Sequence, residues 1–409
     1  MRYQVLRQCF MNFINDLRVI FIKNKTYSLL IISAIPVKLI DGKFYALDLW
    51  CKDLAINARY VKKLGLVCPK TSLIKGGIGE IPSDITVHVI GGAGSYKRLN
   101  RIIEKYDVIQ VAGGKPFWQG IYDIYALVCA KNNKKVIFSI SSNRVKLTLL
   151  NASSKSLLKR LKAKFVAKSI FYTQKFMSYY SDGVLLVGSK LRTELDINNS
   201  NIHIGLASWI EVNDILEGKN VFERISKLPS ILVPKLCVCA RLEKMKGVHI
   251  AIESIFILKE KFNVIATLAI YGVGAELDNL KKQVANLKLE EQVKFCGYVE
   301  YGDVFYNEIR QYELMLLTNL SDEQPRLIFD AISQGVVPLC PKTEQYKSTG
   351  LGEDVLFAKG SHEDLARVIY SFTDKKQLLD SMRVLRRLLN ESTIDNMHLK
   401  RSSWIEGLL

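Results

Sequence analysis

From residue 235 onward the sequence alternates short apolar runs with amphipathic stretches of helical period, and this alternation restricts the fold more than any other feature. Residues 235–240, 264–271, 293–298, 314–318 and 336–340 read as strands. Between them, 248–260, 276–287 and 304–312 read as helices, and a further helix containing Asp330 stops at Gly335. Apolar runs without polar alternation suit strands buried on both faces. Regular strand–helix repeats predict a parallel, doubly wound sheet, whose ligands bind beyond the carboxyl ends of the strands.

The first 230 residues carry a looser version, with strands expected at 28–35, 86–90, 108–111, 136–140 and 184–187. Asp41-Gly42 marks a tight turn in a hairpin after the first of these. A chain of 409 residues exceeds one ordinary core, so two domains are expected. We divide it into a Rossmann-like domain over 1–212, a polar, aperiodic linker over 213–234, a second Rossmann-like domain over 235–385, and a C-terminal helical segment over 386–409.

Chemistry concentrates at the predicted strand ends of the second domain. Arg241 and Lys246 follow the 235–240 strand, and two cations fixed there suit a diphosphate that gains charge during transfer. A solvated basic turn is the other reading of that pair. Gly272 and Gly274 end the next strand, where glycine lets backbone approach a ligand or the following helix. Asp322 and Asp330 stand eight positions apart with Pro325 and Arg326 between them. Asp322 falls in a loop and could accept hydrogen bonds from sugar hydroxyls, with Glu323 as its substitute. Asp330 falls on the helix, and its two carboxylate oxygens could take two ribose hydroxyls. The N–H groups of Arg326 and Leu327 lie at the helix start, which favours phosphate, and Pro325 fits a first helical turn.

Taken in order, Ala240-Arg241-Leu242 with Lys246-Gly247, Tyr271-Gly272-Val273-Gly274, Val293-x-Phe295-x-Gly297 and the Asp322/Asp330 pair resemble retaining glycosyltransferases of family 4, the group 1 glycosyl transferases. The resemblance covers roughly residues 235–385. It implies the GT-B fold: α/β, with two Rossmann-like domains facing a central cleft, and a last helix that crosses back to the first domain. It places the donor diphosphate on Arg241 and Lys246 and the sugar on Asp322. Gly272, Gly274, Val299, Glu323, Arg326, Leu327 and Asp330 would hold the rest of the nucleotide sugar, with the base near the end of the 293–298 strand. The implied reaction retains configuration by front-face attack, uses no cofactor beyond the donor substrate, and needs no metal. No Asp-x-Asp triplet is present. The family usually has Glu at both acidic positions, Gly at position 240, and a Gly pair where this chain has Lys342-Thr343-Glu344. These departures leave a second reading, a catalytically inactive GT-B protein that binds glycan or a partner glycosyltransferase.

The formal net charge of +18 points to a polyanionic partner. Residues 124–181 hold no Asp or Glu and twelve Lys and Arg. Leu157, Leu158, Leu161 and Phe165 form an apolar stripe there, flanked by Lys155, Lys159, Arg160, Lys162, Lys164 and Lys168. A second stripe, Val5, Leu6, Cys9, Phe10, Phe13, Ile14 and Leu17, has Arg2, Arg7 and Arg18 nearby. Each stripe either packs on the protein's own core or lies on an anionic membrane. Aromatics interleave with the lysines, yet no nucleic-acid module accompanies them, which argues against nucleic acid. The partners expected are a nucleotide-sugar donor, a glycan or lipid-linked acceptor and an anionic membrane surface.

No apolar run reaches the roughly 20 residues of a membrane span. Asn12, Asn15 and Asp16 interrupt any signal-peptide pattern. Eight cysteines occur without a Cys-x-x-Cys pair, and Cys237 and Cys239 read as buried thiols. The expected location is therefore the cytoplasm, peripheral at the inner face of the membrane. Within the first domain, Trp50 to Asp53, Gly91 to Gly94, Gly113 to Pro116 and Ser141 to Arg144 stay open between plain turns or helix starts and acceptor contacts. The five histidines form no cluster and read as structural.

Overall fold

The computed structural model describes residues 25–74, 77–90, 95–130, 133–153, 156–320 and 326–409. The predicted N-terminal stripe, the Gly91 to Gly94 loop, Lys155, and the acidic-loop residues Asp322, Glu323 and Pro325 lie outside the described residues. The chain divides into two compact units, one ending at Gly205 but taking in Met397–Leu409, the other Leu206–Asn396.

Strands of the first unit are β1 (Ser28–Ile32), β2 (Lys38–Ile40), β3 (Lys43–Leu47), β4 (Lys63–Cys68), β5 (Ile78–Glu80), β6 (Thr86–Val89), β7 (Val108–Ala112), β8 (Lys135–Ile140), β9 (Gly183–Val187) and β10 (Ile202–Gly205). Seven of them form one parallel sheet in the order β10-β9-β8-β7-β1-β4-β6. Strand β1 therefore lies inside the sheet, which extends from it to β4 and β6 at one edge and reverses between β1 and β7. All five residues of β1 are buried, as their unbroken apolar run requires. The Asp41-Gly42 turn joins β2 to β3 in a small antiparallel sheet with β5. Strand β4 was not legible in the sequence because Gly65 interrupts it; a Cβ there would come within 2.2 Å of the Tyr106 hydroxyl.

The second unit continues with β11 (Lys235–Cys239), β12 (Thr267–Tyr271), β13 (Val293–Gly297), β14 (Leu314–Leu316), β15 (Val337–Pro341) and β16 (Leu356–Phe357). They form a parallel sheet in the order β13-β12-β11-β14-β15-β16, reversing between β11 and β14. One continuous core holds the sheet to its helices, with Leu236, Ile252, Ile270, Leu316, Phe329 and Leu339 almost wholly shielded from solvent.

Residues 213–234 do not form the loose linker expected for them. Gly218–Ser226 is a helix, and its Val221 and Ile225, one helical turn apart, are buried in the core of the second unit. Burying two such side chains stabilises the helix by about 1.5–3 kcal/mol each, enough to override the polar residues around them. Backbone hydrogen bonds fix its approach, Leu216 donating to Ser333 at 3.0 Å. At the other end of the chain, the helix Ile394–Glu406 belongs to the first unit from Met397 onward. His398 Nε2 lies 2.9 Å from Asp53, and Trp404 packs over Gly183. Asp53 is thus a tether for this helix, and His398 has the structural role expected of the histidines.

Candidate functional site

The reversal between β11 and β14 separates strand ends and opens a crevice where doubly wound sheets bind their ligands. Here those ends lead into residues 240–247 and 317–320. Arg241 leaves the end of β11 and is held at a fixed height by its neighbours. Ala240 donates to Tyr271 O and Leu242 to Val273 O, both at 3.0 Å, and Glu276 donates to Leu242 O at 2.9 Å. The segments after β11 and β12 are therefore zipped together. Gly272 and Gly274 make this possible: a Cβ on Gly272 would sit 1.8 Å from Ala240 O, and one on Gly274 2.3 Å from Leu242 O. Their close approach is to this neighbouring backbone.

Arg241 Nη1 pairs with Glu243 at 2.8 Å, but the side chain is 71% exposed. Exposed pairs contribute little, so the guanidinium can exchange Glu243 for a phosphate at small cost. Lys246 ends a short 3-10 turn, Lys244–Lys246, closed by Gly247 in the left-handed region at φ 64°. This turn is stitched to the loop after β14: Thr318 Oγ1 donates to Lys246 O, and Leu320 N to Met245 O, both at 2.9 Å. Lys246 and residues 318–320 after β14 are consequently set by one hydrogen-bonded block.

Arg326 precedes the helix Leu327–Ser333, exposed, with its guanidinium 5.2 Å from the Trp209 ring centroid. Leu327 is half-buried and packs on the core, so only its backbone could serve a ligand. Val299, expected near the base, is likewise half-buried against the core, whereas Tyr298 beside it is 73% exposed.

Asp330 is buried, with 1% of its surface exposed. One carboxylate oxygen accepts hydrogen bonds from Tyr301 at 2.9 Å and Tyr306 at 3.2 Å, and the two hydroxyls lie 3.0 Å apart. Burial raises its pKa to about 6, against the lowering effect of both tyrosines and Arg326; Asp214 adds like-charge repulsion. Burial and the Asp330 charge push both phenols above their ordinary range. The raised carboxyl means the fold prefers Asp330 protonated. That contribution to stability is fully present below about pH 4 and is lost as pH rises to about 6. The difference amounts to about 3 kcal/mol. Urea unfolding across this range should show stability falling with rising pH in the native protein, and a flatter profile in Asp330→Asn.

The structure thus brings Arg241, Lys246, Gly272, Gly274, Arg326 and Asp330 to one end of one sheet; Asp322 and Glu323 lie outside the described residues. Sequence reading missed Tyr301, Tyr306, Asp214 and Trp209. Only Trp209, an indole just ahead of the expected linker, carried a visible signal. The tyrosines meet Asp330 only through tertiary packing, Tyr301 from a loop and Tyr306 from the helix Asp303–Ile309 that follows it. Among the described residues no cluster of His, Cys, Asp and Glu could hold a metal ion.

Residues 233–384 match the model of the family described as glycosyl transferases group 1. No curated protein matches the chain significantly. Among solved structures, HepE of Anabaena in complex with UDP and glucose is 13% identical, with TM-score 0.63 over 93% of this chain and 100% of that one. Sucrose-phosphate synthase of Thermosynechococcus elongatus is 12% identical, with TM-score 0.65 over 94% and 99%. A glycosyltransferase of Rickettsia africae is 13% identical, with TM-score 0.61 over 94% and 98%. At such identities the likeness speaks to the fold, two Rossmann-like domains of the GT-B type. Residues 233–384, most of the second unit, are thus similar to a group 1 glycosyl transferase domain, in a chain of GT-B architecture.

Proposed function

We propose that the chain moves a sugar, with retention, from a nucleoside diphosphate sugar to a glycan or lipid-linked acceptor. The observation that carries this reading is the hydrogen-bonded block at the β11/β14 reversal. It ties the segment that carries Arg241 and Lys246 to the backbone after β12 and to Thr318 and Leu320 after β14. As the glycosidic bond breaks, negative charge develops on the departing diphosphate. Cations already in place stabilise it without reorganisation, and need no metal to do so. The N–H groups of Arg326 and Leu327 add donors of the same sign. Asp322, with Glu323 beside it, receives the sugar hydroxyls. Asp330 accepts from the ribose, with its tyrosine partners fixing the carboxylate. The acceptor adds from the face the diphosphate leaves.

Tyr298 offers an exposed ring at the end of β13 for the nucleobase. Base stacking on an aromatic is worth about 1–3 kcal/mol, so Tyr298→Ala should weaken nucleotide binding about tenfold, measured by calorimetry. An unchanged affinity would move the base elsewhere. Asp330→Glu tests the ribose contact: an affinity equal to or above the native value keeps the role, and a collapse means that the shorter acid is required by its tyrosine cage.

The reading as a whole is tested by thermal shift and donor hydrolysis over a panel of nucleotide sugars. The panel begins with UDP-glucose, the compound bound in a HepE structure. Stabilisation by at least one nucleotide sugar, with slow hydrolysis, is expected. No shift and no turnover with any member would instead support a non-catalytic scaffold.

A further inference from the structure

The helix Leu157–Tyr180 carries its largest apolar side chains away from the protein. Its packed face is Ala167, Ile170, Gln174, Met177 and Ser178. Leu158, Leu161, Phe165, Tyr172, Phe176 and Tyr179 all lie exposed, from 41% at Phe176 to 80% at Leu158. At about 100° per residue these six fall in a stripe roughly 60° wide, opposite the packed face. Lys162 borders the stripe on one side, Lys164 and Lys168 on the other, where Lys175 is already paired with Asp196. Trp118, from the loop after β7, stacks on Phe165 with centroids 5.8 Å apart and extends the apolar surface.

A cavity of about 450 Å³ adjoins this stacked pair. Gly114, Trp118, Arg144, Thr148, Asn151 and Lys162 are among its lining residues, and no carboxylate lines it. It lies at the carboxyl ends of β7 and β8, next to the reversal of the first sheet, where such sheets take ligands. The loop that forms one wall is anchored by a largely buried pair, Lys115 with Asp123 at 2.7 Å.

An exposed apolar stripe of this length calls for a partner, and charge selects which. With twelve Lys and Arg and no Asp or Glu from 124 to 181, a second copy of the same face would be repelled. A negatively charged bilayer surface complements both the stripe and its lysine borders. We propose that the helix Leu157–Tyr180 lies in the plane of an anionic lipid leaflet, with the adjoining Arg144–Lys162 cavity receiving the phosphate of a lipid headgroup. The surface belongs to the first unit, and rests on the proposed function only in making a lipid-borne acceptor the natural substrate.

The test is co-sedimentation of the full chain with phosphatidylcholine vesicles, with and without phosphatidylglycerol. Binding should be about tenfold or more stronger to the anionic vesicles, since several lysines act together, and should be lost in Leu158→Glu/Phe165→Glu. Arg144→Gln/Lys162→Gln should weaken it several-fold; no change there removes the cavity from the proposal. Equal binding to both vesicle types would overturn it. So would unchanged binding of the Glu variant, which would move the contact away from this helix. A native dimer that the Glu variant splits, without vesicle binding, would make the stripe a self-interface. Nucleotide-induced thermal shift of the Glu variant in solution separates the two proposals. If it persists while vesicle binding is absent in the native chain, only the membrane surface falls.

Discussion

Gly272→Ala is expected to lower the stability of the second unit by about 3 kcal/mol or more, the sum of a strained backbone and a backbone–backbone clash. The residue has φ 139°, which side-chain-bearing residues rarely adopt, and the added Cβ would meet Ala240 O at 1.8 Å. Neither partner is a flexible side-chain end, so relief requires parting the strand-end segments of β11 and β12. For a unit of this size the melting temperature should fall by about 6–12 °C. Because the same contact sets the height of Arg241, turnover should fall in the folded fraction too. Differential scanning calorimetry reads the first effect and initial rates at a temperature below the transition read the second. A native-like melting temperature would mean that the segments are not zipped as described.

The second large effect is on chemistry. Lys246→Ala and Arg241→Ala should each reduce turnover by about 100-fold, the cost of one donor aimed at developing charge. Neither should alter the melting temperature much, since Arg241 is largely exposed and its pairing with Glu243 contributes little. Gly247→Ala provides the contrast. Its φ of 64° and a Cβ 2.1 Å from Thr318 O should cost both stability and turnover, because Lys246 and the β14 loop move together. Wild-type turnover in Lys246→Ala would falsify the diphosphate assignment without touching the fold.

Strands β12, β14 and β15 were legible because both of their faces are buried, so hydrophobicity alone marks them; β11 and the half-buried β13 fall within a residue of their expected ends, and the two-residue β16 was not anticipated. The helix Gly218–Ser226 was missed because only Val221 and Ile225 are buried in it, too few to stand out from polar neighbours. In the site, Arg241 was readable because it closely follows a recognisable strand, and Lys246 because it ends the short basic segment between that strand and the next helix. The glycines at 272 and 274 were readable as positions, but not for what they approach. The Cβ-free space faces the adjacent segment, a distinction that spacing along one chain cannot make.

The sequence by itself determined the parallel doubly wound sheets, the cationic strand end and the acid on the following helix, because these depend on local period and residue type. It also determined the bias of charge over 124–181. Only the tertiary structure decided which way two features face. The stripe of the Leu157–Tyr180 helix could have been core or surface, and the packing of Ile170 and Met177 on the opposite side turns it outward. Asp330 could have been an open carboxylate, and two tyrosines from a neighbouring loop and helix enclose it. Amphipathic period gives a helix two faces, and a carboxylate two oxygens. Which of them meets the protein is set by contacts between residues distant in sequence.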